Sequence, residues 1–325
     1  MSSRISRSRS SNPGRSLSAA QRRTIAAQQR VAEARRTAVR RRRLRWAAAG
    51  VIAAALALGV VVLVARGSGG SSESASVAAP RVGGDLHTVF ALGNALYVGG
   101  HDAIAVSHDG GRTYAPVPSL AGADAMGWAS TGRSVLVGGH PGLFRSTDGG
   151  VSFARVTGAG AVADVHALGG AGSTLYIGSP AAGLLASTDG GATWAVRNRQ
   201  AGRSFMGTVL VDPRNPARLI APDMAAGLSV SSDGGRSWRP LGGPMGAMAA
   251  AWNPTDTGEI VAVGMNGGQT SSDGGANWRP MSLPAGTTAV AFDATGHTLY
   301  AGVLDGTSAR TYRSSDTGTQ WTPTA

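Results

Sequence analysis

The chain has 325 residues, no cysteine and a formal net charge of +12. Without cysteine there is no disulfide framework, no thiolate metal site and no lipoprotein-type lipid anchor. The charge is uneven: residues 1–45 hold fourteen Arg and one acid, Glu33, whereas residues 81–325 hold fifteen Arg against sixteen acids, which argues against a nucleic-acid-binding surface on the later part.

Residues 1–16 are rich in Ser and Arg and too poor in apolar residues to fold alone. From Leu17 to Arg45 an Ala, Gln and Arg run has helix propensity without a wide apolar stripe, so 1–45 reads as a basic cytoplasmic tail. Residues 46–65 carry no charge. Twenty residues at about 1.5 Å each reach about 30 Å, the thickness of a hydrocarbon core. Nine of the twenty are Val, Ile or Leu, which favours insertion by roughly 3–5 kcal/mol. This predicts a single transmembrane signal-anchor helix; a signal peptide cleaved within Ser-Ala-Ser-Val-Ala-Ala (74–79) is the alternative. The cluster Arg40–Arg45 places the N-terminus inside and everything after Arg66 outside the cytoplasm. Residues 66–83, Gly/Ser-rich at first, read as a flexible linker.

From Gly84 onward the sequence repeats. The octet Ser187-Thr-Asp-Gly-Gly-Ala-Thr-Trp194 has near-copies at Ser107 to Tyr114, Ser146 to Phe153, Ser231 to Trp238, Ser271 to Trp278 and Ser314 to Trp321. Its aspartates, Asp109, Asp148, Asp189, Asp233, Asp273 and Asp316, recur every 39 to 44 residues, a period suited to propeller blades. Ser and Asp side chains bond nearby backbone groups and Gly-Gly supplies positive φ, so each octet is a self-satisfied hairpin turn, and its terminal aromatic anchors the returning strand. The sixth copy has Thr317 for the first Gly. Strand signals such as Leu96-Tyr97-Val98-Gly99, Leu175-Tyr176-Ile177-Gly178 and Leu299-Tyr300-Ala301-Gly302 precede the octets. The expected fold is all-β: a six-bladed β-propeller of four-stranded blades over residues 84–325.

The octets resemble the Asp box, or bacterial neuraminidase repeat, of sialidases, sortilin-type receptors and a photosystem II assembly factor. The run is also similar to secreted glycosylhydrolase-like proteins. The likeness covers about residues 84–325 and implies a fold more than an activity, because these relatives do unrelated things. A sialidase would need an Arg triad, a Tyr nucleophile paired with Glu, an acid Asp and an Arg-Ile-Pro motif. There is no Arg-Ile-Pro, and the repeats hold one Glu, Glu259. Tyr97, Tyr176 and Tyr300 fall at strand positions. Two acids facing one cleft remain the requirement for an ordinary glycosidase, and no spacing singles out a pair.

Aligning the first strands reveals a second pattern. One position is filled in turn by His87, Met126, His166, Met206, Met248 and Thr288, a ring around the channel. Two residues earlier, on the same side of the strand, stand Asp85, Asp124 and Asp164. The second strands end with His101, His140, Met224 and Met265 on the same face. Met fills gaps adaptably and His hydrogen-bonds in channels, so packing is one account. The other is a copper site held by His87, His166 and Met126 with His101, His140 and Met206 nearby, thioethers favouring the reduced ion and Asp residues orienting the imidazoles. The function expected is binding or scaffolding at the membrane, towards an extracellular protein or glycan; the alternative is a sialidase-like or other glycoside hydrolase.

Overall fold

The computed structural model describes residues 77–325 apart from Arg133. The tail, the membrane-span assignment and most of the linker lie outside them. Among the described residues no helix is long and apolar enough to cross a membrane.

Six antiparallel sheets follow one another along the chain as the six blades of a propeller. In the first, Leu86–Leu92, Ala95–Gly100, Ile104–Ser107 and Ala115–Pro116 pair in sequence order from the innermost strand outwards. Second strands are continuous apolar runs because both faces are covered: Ala95–Gly100 and Ile260–Gly264 are buried at every position. Outer strands are short and exposed, and several carry proline: Pro116, Pro240, Pro280 and Pro323. A missing N–H is tolerated on an edge strand, and such edges resist pairing with another chain.

The core is divided among the interfaces between blades. Six separate clusters of buried side chains each join residues of two adjacent blades, one of them joining the last blade to the first through Ala289, Ala309, Leu86 and Val98. The interface of blades one and two is aromatic: Trp128, 1% exposed, stacks on Phe90 at 5.0 Å and contacts Tyr97 at 4.9 Å. Its indole N–H donates to Thr88 Oγ1 at 3.0 Å.

Closure needs no exchanged strand, since all four strands of blade six lie between Thr287 and Pro323. Instead Val77 bridges Tyr114 and Arg81 bridges Ser308, while the Thr324 hydroxyl donates to the Gly111 carbonyl at 2.7 Å. Residues 77–83, grouped with the linker on composition, are thus attached to the propeller: Val82 is fully buried and pairs with Thr307.

Blade four departs from the repeat. Its first strand is split into Gly207–Thr208, which pairs in parallel with blade three, and Leu210–Val211, which stays in its own blade. Inner strands crowd near the axis, and Val209 donates to the Leu168 carbonyl at 3.1 Å. Gly169 permits that approach, because a Cβ there would collide with the Val209 carbonyl.

Candidate functional site

Each octet closes on itself in the same way. In the third copy Gly191 N–H donates to Ser187 Oγ at 2.8 Å, Ser187 donates to Asp189 at 2.6 Å, and the Thr193 N–H donates to the same carboxylate at 3.0 Å. The aspartate is spent on its own turn. Hydrogen bonds from Ser187 and Thr193 hold Asp189 well below the usual carboxylate range, and those from Asn277 bring Asp273 down to about 2. The closing aromatics reach back to the blade before: the indoles of Trp194, Trp278 and Trp321 donate to the carbonyls of Gly160, Leu241 and Ser282. Trp238 differs, bonding Gly235 of its own turn.

These turns lie at one end of every blade. Leu86 pairs with Gly100 and Gly99 with Ile104, so the start of the first strand, the end of the second and the start of the third share an end; Leu96 pairs with Ser107 at the other, where the octet begins. The His and Met positions therefore face away from the octets, as the ring alignment predicts. Glu259 lies on the octet side, in the loop between the first and second strands of blade five, where it accepts from Asn253 at 2.9 Å. Tyr97 and Tyr176 donate there too, to the carbonyls of Gly150 and Pro216, and burial pushes both phenols up. Neither tyrosine is placed as a nucleophile at the mouth.

At the mouth, blades one to three bring four histidines and three aspartates together. Backbone bonds extend the strand ladders to fix them: Asp124 N–H donates to the His140 carbonyl and His166 N–H to that of Gly178. Asp124, with 2% of its side chain exposed, stands among three imidazoles: Oδ1 is 3.6 Å from His87 Nε2, and Oδ2 is 3.7 Å from His101 Nδ1 and 3.2 Å from His140 Nδ1. Asp85 lies 3.6 Å from the same His87 nitrogen. Asp164 lies 3.0 Å from His140 Nε2 and 3.1 Å from His166 Nε2. Burial pushes His87 below the usual 6.5, against the pull of Asp124 and Asp85. His87 Nε2, Asp124 Oδ1 and Asp164 Oδ1 are buried without a protein hydrogen-bond partner.

Beside this cluster a cavity of about 330 Å³ opens at the channel, lined by Asp85, His87, Met126, Met206, Met224 and Met248 among others. Blades four to six have no aspartate at the equivalent first-strand position, and Met206, Met224 and Met248 line the cavity from blades four and five.

The six ligands expected from sequence fall into separate groups. His87 meets His101, His166 meets His140, and Met126 and Met206 line the cavity on His87's side. Met265 stays outside, 71% exposed. What sequence reasoning undervalued is Asp124: the Asp-x-His/Met register placed it on the ring, but its central position depends on burial, which no spacing encodes.

The fold and site define a six-bladed β-propeller with a His/Asp cluster at one end of its channel. No protein-family profile matches the chain, and no curated protein matches it. Among solved structures, a GH74 xyloglucanase from Xanthomonas campestris is 20% identical with a TM-score of 0.52, covering 77% of this chain and 46% of its own. A GH74 enzyme from Niastella koreensis is 14% identical at 0.50, covering 77% and 55%. YCF48 from Cyanidioschyzon merolae is 18% identical at 0.48, covering 77% and 87%. The chain spans about half the length of the two GH74 structures. At these identities the likeness is one of fold.

Proposed function

We propose that this chain is a binding module of the Asp-box type, tethered to the cell membrane through residues 46–65 and displayed outside the cytoplasm, whose ligand at the channel mouth is a transition-metal ion. The observation that carries it is the convergence of four imidazoles and three carboxylates around buried polar atoms that lack protein partners. Imidazole and carboxylate are the common ligands of first-row ions, and the neighbouring thioethers of Met126 and Met206 are the donors that suit copper in its reduced form. The turns opposite, each aspartate bonded into its own octet, act as scaffold. Elemental analysis of the full chain purified without chelator tests this reading: bound zinc or copper supports it, and a metal-free chain that takes up neither ion on addition refutes it.

A glycan-cleaving reading has one observation in its favour. Asp85 and Asp124 each lie 3.6 Å from the same His87 nitrogen, so two carboxylates face one place at the mouth, as a carboxylate-pair glycosidase requires. The same imidazole nitrogen stands against both carboxylates. Hydrolysis of xyloglucan or a sialoside by the purified chain, abolished by Asp124→Asn, would favour this reading over binding.

A further inference from the structure

Asp124 turns its two oxygens towards different histidines. Oδ1 faces His87 and hydrogen-bonds no protein group, while Oδ2 lies 3.2 Å from His140 Nδ1. A buried carboxylate oxygen without a donor is costly, and a cation offsets that cost. Around Asp124 stand two sets of ligand atoms: Asp85, His87 and His101 bring one each within 4.8 Å of one another, and so do His140, Asp164 and His166. Four ligands about 2.1 Å from a tetrahedral ion stand about 3.4 Å from one another. The separations of 3.6 Å in the first set and of 3.0 and 3.1 Å in the second bracket that value.

The geometry points to two divalent-cation sites coupled through Asp124, one held by Asp85, His87 and His101 with Asp124 Oδ1 facing His87 beside them, the other by His140, Asp164 and His166. In the second site His140 binds through Nε2 and donates its Nδ1–H to Asp124 Oδ2, an outer carboxylate that fixes the tautomer and strengthens the ligand. Asp124 is thus an outer carboxylate to both ions, facing His87 through Oδ1 and positioning His140 through Oδ2. Nitrogen and oxygen donors select zinc or cupric ion over calcium, which takes six to eight oxygens, and over reduced copper, which prefers sulfur. The inference rests on the metal reading above and adds the number of ions, their class and the residue that couples them.

The full chain in mild detergent, stripped with chelator, is titrated with zinc chloride against a chromophoric chelator, with calcium and reduced copper in parallel. Two zinc equivalents per chain are expected, and no calcium. His101→Ala and His140→Ala each weaken a different equivalent at least tenfold; both side chains are half exposed or more, so truncation leaves no buried cavity. Asp124→Asn weakens both equivalents at least tenfold, in line with losses of about 10–100-fold for outer-sphere partners; should that variant fail to fold, the histidine pair decides alone. One zinc equivalent only, or two indifferent to both histidine variants, overturns the coupled pair. Retention of reduced copper without zinc, dependent on Met126→Leu and Met206→Leu, overturns it while sparing the metal reading. Retention of no ion overturns both.

Discussion

A single side chain tests how strictly the octet sets its backbone. Five copies place glycine after the aspartate, each at positive φ, and the sixth places Thr317 there at φ 55°, the one non-glycine residue at positive φ among those described. A β-branched residue in the left-handed region costs about 1–2 kcal/mol, against roughly 0.5–1 kcal/mol for the greater unfolded-chain freedom of glycine. Thr317→Gly is therefore expected to leave stability unchanged or raise it by up to about 1.5 kcal/mol, read from urea unfolding; a loss beyond about 1 kcal/mol would mean the Thr317 side chain contributes more than its strain costs. The aspartate beside each glycine makes the fold acid-sensitive. Asn277 and Ser271 bring Asp273 from the usual 3.8 down to about 2, so its contribution is present above about pH 4 and is lost as pH falls towards 2. Asp273→Asn is expected to flatten the pH dependence of stability between those values. An unchanged slope would show that the bonds are equally strong to the neutral acid.

The blade was legible because its signals are local: the octet fixes the third turn, and the apolar runs at Ala95–Gly100 and Thr174–Ser179 fix the second strand. Features that depend on the ring were not legible. The split of blade four arises from crowding at the axis, and the attachment of residues 77–83 from contacts outside any repeat, such as the Val77 bridge to Tyr114 and the Arg81 bridge to Ser308. The same limit applied at the mouth, where register gave the ring positions but blade packing decided which histidines met. Packing between blades is also where stability concentrates. Trp128 contacts Phe90, Tyr97 and Phe153 across the first interface, and Trp128→Ala is expected to cost about 3–5 kcal/mol through the cavity left behind. A loss below 1 kcal/mol in thermal or denaturant unfolding would show that this interface collapses to refill the space.

For the whole molecule, the proposed display outside the cytoplasm depends on residues before the propeller. Arg40–Arg45 precede the apolar stretch 46–65, and the positive-inside rule sends the later part outward. A cysteine at Ser71 is expected to react with an impermeant thiol reagent on intact cells and one at Ser10 only after lysis; the opposite pattern refutes the orientation. The propeller then holds its octets at one end and the His/Asp cluster, with its thioether-lined cavity, at the other. The most direct test of the central claim is the thermal shift produced by zinc, and separately by reduced copper, in the wild-type chain and in His87→Ala/His166→Ala. An ion at 100 times its dissociation constant stabilises the fold by roughly 2.7 kcal/mol, which at about 2–4 °C per kcal/mol for a domain of this size raises Tm by about 5–10 °C. The account predicts that rise in wild type with at least one of the two ions and its loss in the double variant; equal shifts in both chains, or none in either with both ions, would contradict it.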